Sequence, residues 1–137
     1  KGFADRGYKR ETNLLFTAMY DSAIRFNYYR LPELFCGFER QGELDKPIPY
    51  PVACSPQAWA AATPILLLQA ALGLQADAPH RILKVNVPAL PEWLGRVTLR
   101  GMQVGNALVD LEFIQVNGTT TTRILNKQGD LRVLIEG

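Results

Sequence analysis

Residues 55–87 read SPQAWAAATPILLLQAALGLQADAPHRILKVNV, and the spacing of their apolar positions changes once, near Pro79. Ahead of that point the run is helical. Ser55 is suited to an N-cap, and Pro56 fits a first helical position, where an amide hydrogen would be unpaired anyway. The helix then extends to about Leu72, with Gly73 as its stop. Ala58, Trp59, Ala60, Ala61, Ala62, Ile65, Leu66, Leu67, Leu68, Ala70, Ala71 and Leu72 leave almost no polar face. A helix apolar all round expects protein on every side. Pro64 is a candidate kink, since an interior proline removes one backbone bond.

Beyond Asp77-Ala78-Pro79 the period is two. Leu83, Val85 and Val87 alternate with Lys84 and Asn86, and Val97 and Leu99 alternate with Thr98 and Arg100. Gly101 shifts the phase to Met102 and Val104, as a bulge does. Val109, Leu111 and Phe113 alternate with Asp110 and Glu112. Gly105-Asn106 and Asn117-Gly118 are two-residue hairpin signals. Further strands are expected near Thr120 to Leu125 and Leu131 to Ile135, with Gly129 in the turn. The pattern predicts an antiparallel meander of four or five strands. Trp93, in Leu90-Pro91-Glu92-Trp93-Leu94, is expected to pack as a lid.

Working towards the N-terminus, a first helix is expected from about Tyr8 to Phe26. Leu14, Leu15, Ala18, Met19, Ser22, Ala23 and Phe26 give it an apolar face at three-and-four spacing. The two helices are expected to pack together. Between them Pro32, Pro47, Pro49 and Pro51 exclude helix from a loop over residues 27–53. Loops of that length inside a compact domain are functional or disordered as a rule. Tyr28, Tyr29, Phe35, Phe38 and Tyr50 argue against disorder. The fold class read here is α+β, with residues 1–78 as a helical pair carrying the aromatic loop and residues 79–137 as a β-subdomain.

Bulk composition excludes several functions. The 137 residues suit about one domain, and 47% hydrophobic with 20% charged residues is ordinary globular usage. The net charge of +2 arises from 15 basic and 13 acidic residues without a basic stripe, so nucleic acid is a poor partner. No apolar run reaches the roughly 18 residues of a membrane span. No signal peptide is read, and Lys1 in place of an initiator methionine suggests a chain that begins mid-protein. Cys36 and Cys54 lack metal-type spacing, and a single histidine cannot complete a zinc cluster, so neither a metal nor a cofactor is expected. A disulfide between the two is conceivable across the loop, but two buried free thiols in a cytoplasmic protein are the reading preferred.

Glu33 carries the sharpest chemistry. It stands in Arg30-Leu31-Pro32-Glu33-Leu34-Phe35-Cys36-Gly37-Phe38, a proline-stiffened aromatic setting that an exposed connector does not require. Carboxylates among aromatic rings are what sugar-cleaving sites use, although residue type and position alone favour a solvated loop glutamate. Arg30 and Arg40 can keep such a carboxylate ionised if they lie close. Tyr28, Tyr29, Phe35, Phe38 and Tyr50 are stacking platforms or packing residues, and Trp59 is ligand contact or core. Glu39, Glu43 and Asp45 read as a solvated turn, and Asp5, Asp21, Asp110 and Glu112 as surface. His80 reads as a surface or capping residue.

The Arg30–Phe38 segment, followed by Pro49-Tyr50-Pro51-Val52-Ala53-Cys54-Ser55-Pro56-Gln57-Ala58-Trp59, resembles the amylo-α-1,6-glucosidase (glycogen debranching) family. The resemblance covers the whole chain, closest over residues 30–38 and 50–62 and looser from Leu90 to Gly95 and beyond. It implies the last two helices of an (α/α)6-type barrel, most of which, with an N-terminal sugar-binding domain, would precede this chain. It implies an inverting α-glucosidase acting on glycogen-like or short α-glucans, with Glu33 as general base. It further implies Arg30, Phe35, Tyr50, Gln57 and Trp59 as substrate contacts, Gln57 and Trp59 matching the family's Q-A-W segment. The general acid would then lie upstream, where it can stand the about 6.5 to 9.5 Å from the base that inversion requires. The chain alone would be inactive, and its apolar helix face would associate with the missing barrel part or with itself. The rival reading is a non-catalytic glycan- or protein-binding module.

Overall fold

The computed structural model describes residues 1–39, 42 and 46–137. Helices come first and strands follow: α1 (Gly2–Asp5), α2 (Lys9–Ala23), a 3-10 turn (Asn27–Tyr29), α3 (Ala58–Ala71), then β1 (Leu74–Asp77), β2 (Ile82–Asn86), β3 (Arg96–Val104), β4 (Ala107–Val116), β5 (Thr119–Gln128) and β6 (Arg132–Glu136). The chain is α+β. It forms two compact units, residues 14–68 and residues 1–13 with 69–137.

Helix α2 ends three residues before its expected limit. Its last regular bond runs from the Ile24 amide to the Tyr20 carbonyl, after which Arg25 and Phe26 donate to Ser22 and Ala23 and tighten the turn. Its buried side chains match the expected face only in part. Ser22 and Ala23 are buried as expected, but Thr12 and Phe16 are buried outside that face and Leu14 and Leu15 are exposed. Burial of the two hydroxyls is possible because each donates to a carbonyl four residues back, Tyr8 and Ala18, at 2.9 Å. In the 14–68 unit the core is Ala23, Phe26 and Leu31, with Met19, Phe35 and Ala60 packed against it. Met19 and Ala60 are where α2 and α3 share this core, so the expected packing of the helices is confined to few positions.

Ser55 and Pro56 lie outside α3. The first intrahelical bond joins the Ala61 amide to the Gln57 carbonyl at 2.8 Å, and the Gln57 side-chain oxygen accepts from the Ala58 amide at 3.2 Å. Gln57 therefore takes the capping place expected of Ser55. Pro64 is accommodated within a continuous helix. Trp59, Ile65 and Leu66 are exposed, while Ala70 and Ala71 are buried.

The strands form two three-stranded sheets, β1-β2-β6 and β3-β4-β5, rather than one sheet of four or five. The second is the expected antiparallel meander, turning at Gly105-Asn106 between Val104 and Ala107 and at Asn117-Gly118 between Val116 and Thr119. Its register shifts between Leu99 and Met102, where Gly101 makes the expected bulge. Asp110, expected as mere surface, accepts the Gly101 amide at 2.6 Å and braces that bulge. Ala107, Val109, Leu111 and Phe113 form the buried face of β4.

The other sheet corrects the single-meander expectation. Strand β6 leaves β5 and pairs in parallel with β2, while β1 pairs antiparallel on the other side of β2. The Arg132 amide donates to the Arg81 carbonyl at 2.8 Å and the Val87 amide to Glu136 at 2.7 Å, fixing both ends of the parallel pair. Leu131 is buried at its start, and Arg81 pairs with Asp130 in the preceding turn. Val87, expected to point inward, has a positive φ of 43° and is exposed just past the end of β2.

Candidate functional site

Two extended segments of the 14–68 unit run against each other and hold Glu33. The Glu33 amide donates to the Cys54 carbonyl at 2.9 Å, the Cys36 amide to Ile48 at 2.8 Å, and the Gln57 amide to Leu31 at 3.2 Å. Phe35 and Pro49 form an antiparallel bridge between them. The second segment turns at Tyr50–Ala53, closed by the Ala53 amide on the Tyr50 carbonyl at 3.1 Å. Pro51 at its second position suits a tight turn, because its φ is already near that value. Leu31 and Pro32, both buried, anchor the first segment immediately before Glu33.

The Glu33 side chain is half-buried, and its Oε2 accepts from the Cys54 amide at a long 3.4 Å. Backbone and carboxylate of one residue thus both address Cys54, which orients the carboxylate across the loop. The cation expected to accompany it is not Arg30, since no described residue forms an ion pair with Glu33. Arg40, the other candidate, lies outside the described residues, as do Glu43 and Asp45. An amide occupying the place of a cation leaves no trace in a sequence, since every residue but proline carries one.

The remaining candidates divide into packed and presented groups. Phe35 belongs to the core cluster, with its ring centroid 6.2 Å from that of Phe26, while Lys46 Nζ sits 4.6 Å over the Phe26 ring. Arg30, Phe38, Tyr50 and Trp59 are exposed. Gln57 is half-buried and engaged in capping α3. Cys36 and Cys54 are free thiols, but neither is buried as expected: Cys36 is half-buried and Cys54, at the edge of the loop, is exposed. Trp93, expected as a lid, has only part of its surface covered.

Other acidic groups have local structural partners. Asp5 pairs with Lys1 at 2.6 Å, Asp21 with Arg25, Asp130 with Arg81, and Glu112 with Arg96 at 3.6 Å. Asp77 accepts both the amide of His80 and its Nδ1, the latter at 2.8 Å. That side-chain hydrogen bond holds the Asp77 carboxyl below its ordinary range and accounts for the exposed histidine as a turn partner. A shallow cavity of about 300 Å³ in the other unit is lined by Ala78, Arg81, Gly105, Asn106, Ala107 and Asp130. Among the described residues no group of three His, Cys, Asp or Glu side chains can hold a metal ion, and no helix is long and apolar enough to cross a membrane.

No family model, curated protein or solved structure matches this chain.

Proposed function

We propose that this chain is the carboxyl-terminal part of an inverting α-glucosidase of the amylo-α-1,6-glucosidase type, with Glu33 as general base. The observation that supports this is a half-buried glutamate whose carboxylate accepts from the Cys54 amide, in a loop that exposes Phe38 and Tyr50 to solvent and leads into α3, where Trp59 is also exposed. A loop glutamate with only a solvating role requires no backbone amide directed at its carboxylate.

In the reaction proposed, the Glu33 carboxylate accepts a proton from water as the water oxygen bonds to the anomeric carbon. The glycosidic C–O bond breaks on the opposite face, and its oxygen takes a proton from a carboxylic acid supplied upstream of Lys1. Arg30, Tyr50, Gln57 and Trp59 contact the glucan, and the apolar side of α3 joins the rest of the barrel. Phe35 serves by packing beneath the loop. The chain by itself holds one of the two carboxyl groups and does not turn over substrate.

The test is Glu33→Gln in the protein carrying its upstream sequence, assayed on maltose, isomaltose and a branched dextrin. The amide is nearly isosteric but cannot take the proton, so turnover falls by about 10² to 10⁴ while substrate affinity stays within a few-fold. Turnover within a few-fold of the parent would remove Glu33 from the base position.

A further inference from the structure

Tyr28 and Tyr29 are consecutive and both occupy the left-handed region, with φ of 58° and 57°. L-residues enter that region reluctantly because Cβ crowds the following carbonyl, and bulky side chains do so least of all. Two in succession persist only where flanking structure over-determines them. The flanks here do so. Phe26 and Leu31 are both buried in the same cluster, and the Tyr29 and Arg30 amides donate to Phe26 and Asn27 at 3.0 and 3.2 Å. The strained turn nevertheless buries neither ring. Tyr28 is 84% exposed and Tyr29 73%, and neither ring meets another aromatic ring among the described residues. Arg30, next in the chain, has no ion-pair partner among the described residues.

A turn that spends conformational energy to hold two phenol rings in water gains nothing from packing. We propose that Tyr28 and Tyr29 form a sugar-binding platform for α-linked glucose units, with Arg30 donating to their hydroxyls. The sugar class rests on the glucosidase reading above; the platform rests on the turn. Pyranose rings present a face of C–H groups that suits the negative face of an aromatic ring. Each phenol oxygen can donate to and accept from a sugar hydroxyl, and the guanidinium offers five donors. A backbone fixed before a ligand arrives loses little freedom on binding, which favours affinity.

Glycine separates binding from folding at these positions, because it accepts a φ near +57° without a Cβ clash. The purified chain is titrated with maltoheptaose by calorimetry, beside a Tyr28→Gly/Tyr29→Gly variant and a Tyr28→Phe/Tyr29→Phe variant, with melting temperatures for each. The glycine pair is expected to bind at least about tenfold more weakly with a melting temperature unchanged or raised, and the phenylalanine pair to keep affinity within about threefold. Wild-type affinity in the glycine pair, or a loss accompanied by a lower melting temperature, would overturn the platform. So would absence of binding by the wild-type chain. Weakened binding by the glycine pair, together with undiminished turnover in Glu33→Gln of the longer protein, would uphold the platform and sink the catalytic assignment alone.

Discussion

Replacing Gly73 by alanine tests the joint between α3 and β1. Gly73 has a φ of +63°, and a Cβ built on it would stand 2.0 Å from the Asn86 carbonyl oxygen and 2.8 and 2.9 Å from the carbon and nitrogen of the same residue. All three contacts are backbone, so no side chain can swing away. The left-handed conformation alone costs an alanine about 1 to 2 kcal/mol. Relief of the clash requires β2 to retreat, which breaks the 3.0 Å bond from the Asn86 amide to the Gly73 carbonyl and costs about 1 kcal/mol more. Leu72, Leu74 and Val85 are buried beside this joint and lose packing as it opens. The substitution should therefore destabilise by at least about 3 kcal/mol, equivalent to roughly 10 °C in melting temperature for a chain of this size. Urea unfolding followed by circular dichroism measures it against two controls. Gly118→Ala has a φ of +79° with nothing within 4 Å of the added carbon, so it carries the conformational cost alone. Gly95→Ala has open space and an ordinary φ, and should stay within about 0.5 kcal/mol of wild type. If Gly73→Ala cost no more than Gly118→Ala, the close approach to Asn86 would be refuted.

Phe113→Ala should cost about 3 to 5 kcal/mol in the same assay, since its side chain is fully buried on β4; a loss below about 1 kcal/mol would mean that this face is not core. His80→Ala should raise the Asp77 carboxyl towards its ordinary value, because the histidine hydrogen bond is the leading cause of its depression. Because the folded-state value is the lower one, the stabilising contribution is present above about pH 4 and is lost as pH falls through the folded value. A carbon-13 titration of the Asp77 carboxyl reads the change, and an unaltered titration in His80→Ala would show that the pair does not form.

The meander was legible because each of its signals is local. Gly105-Asn106 and Asn117-Gly118 specify two-residue turns, and Gly101 announces the bulge, each within a few residues. The partner of β6 was not legible. Val133 and Leu134 show the same twofold pattern whether their strand pairs with β5 or with β2, and direction is not encoded in that period. The phase at the start of α2 was not legible because Thr12 counts as polar until its hydroxyl is bonded to its own helix. At the loop, Glu33 and its aromatic neighbours could be read from residue type. The Cys54 amide that its carboxylate meets could not, since a backbone amide leaves no mark in the sequence, and neither could the packing of Phe35 against Phe26.

The parallel pairing of β2 with β6 has a consequence for the order of assembly. These strands flank the whole β3-β4-β5 meander, so bringing them together closes a loop that contains three other strands. Hairpins form in about 1 to 10 μs, whereas loop closure loses about 0.6 kcal/mol for each doubling of the flexible length. A meander already folded takes its own residues out of that length and draws β6 towards β2. The β3-β4-β5 sheet should therefore form first and act as the tether that completes β1-β2-β6. Weakening the turn at Gly105-Asn106 or Asn117-Gly118 would then slow the closure of a sheet to which neither turn belongs.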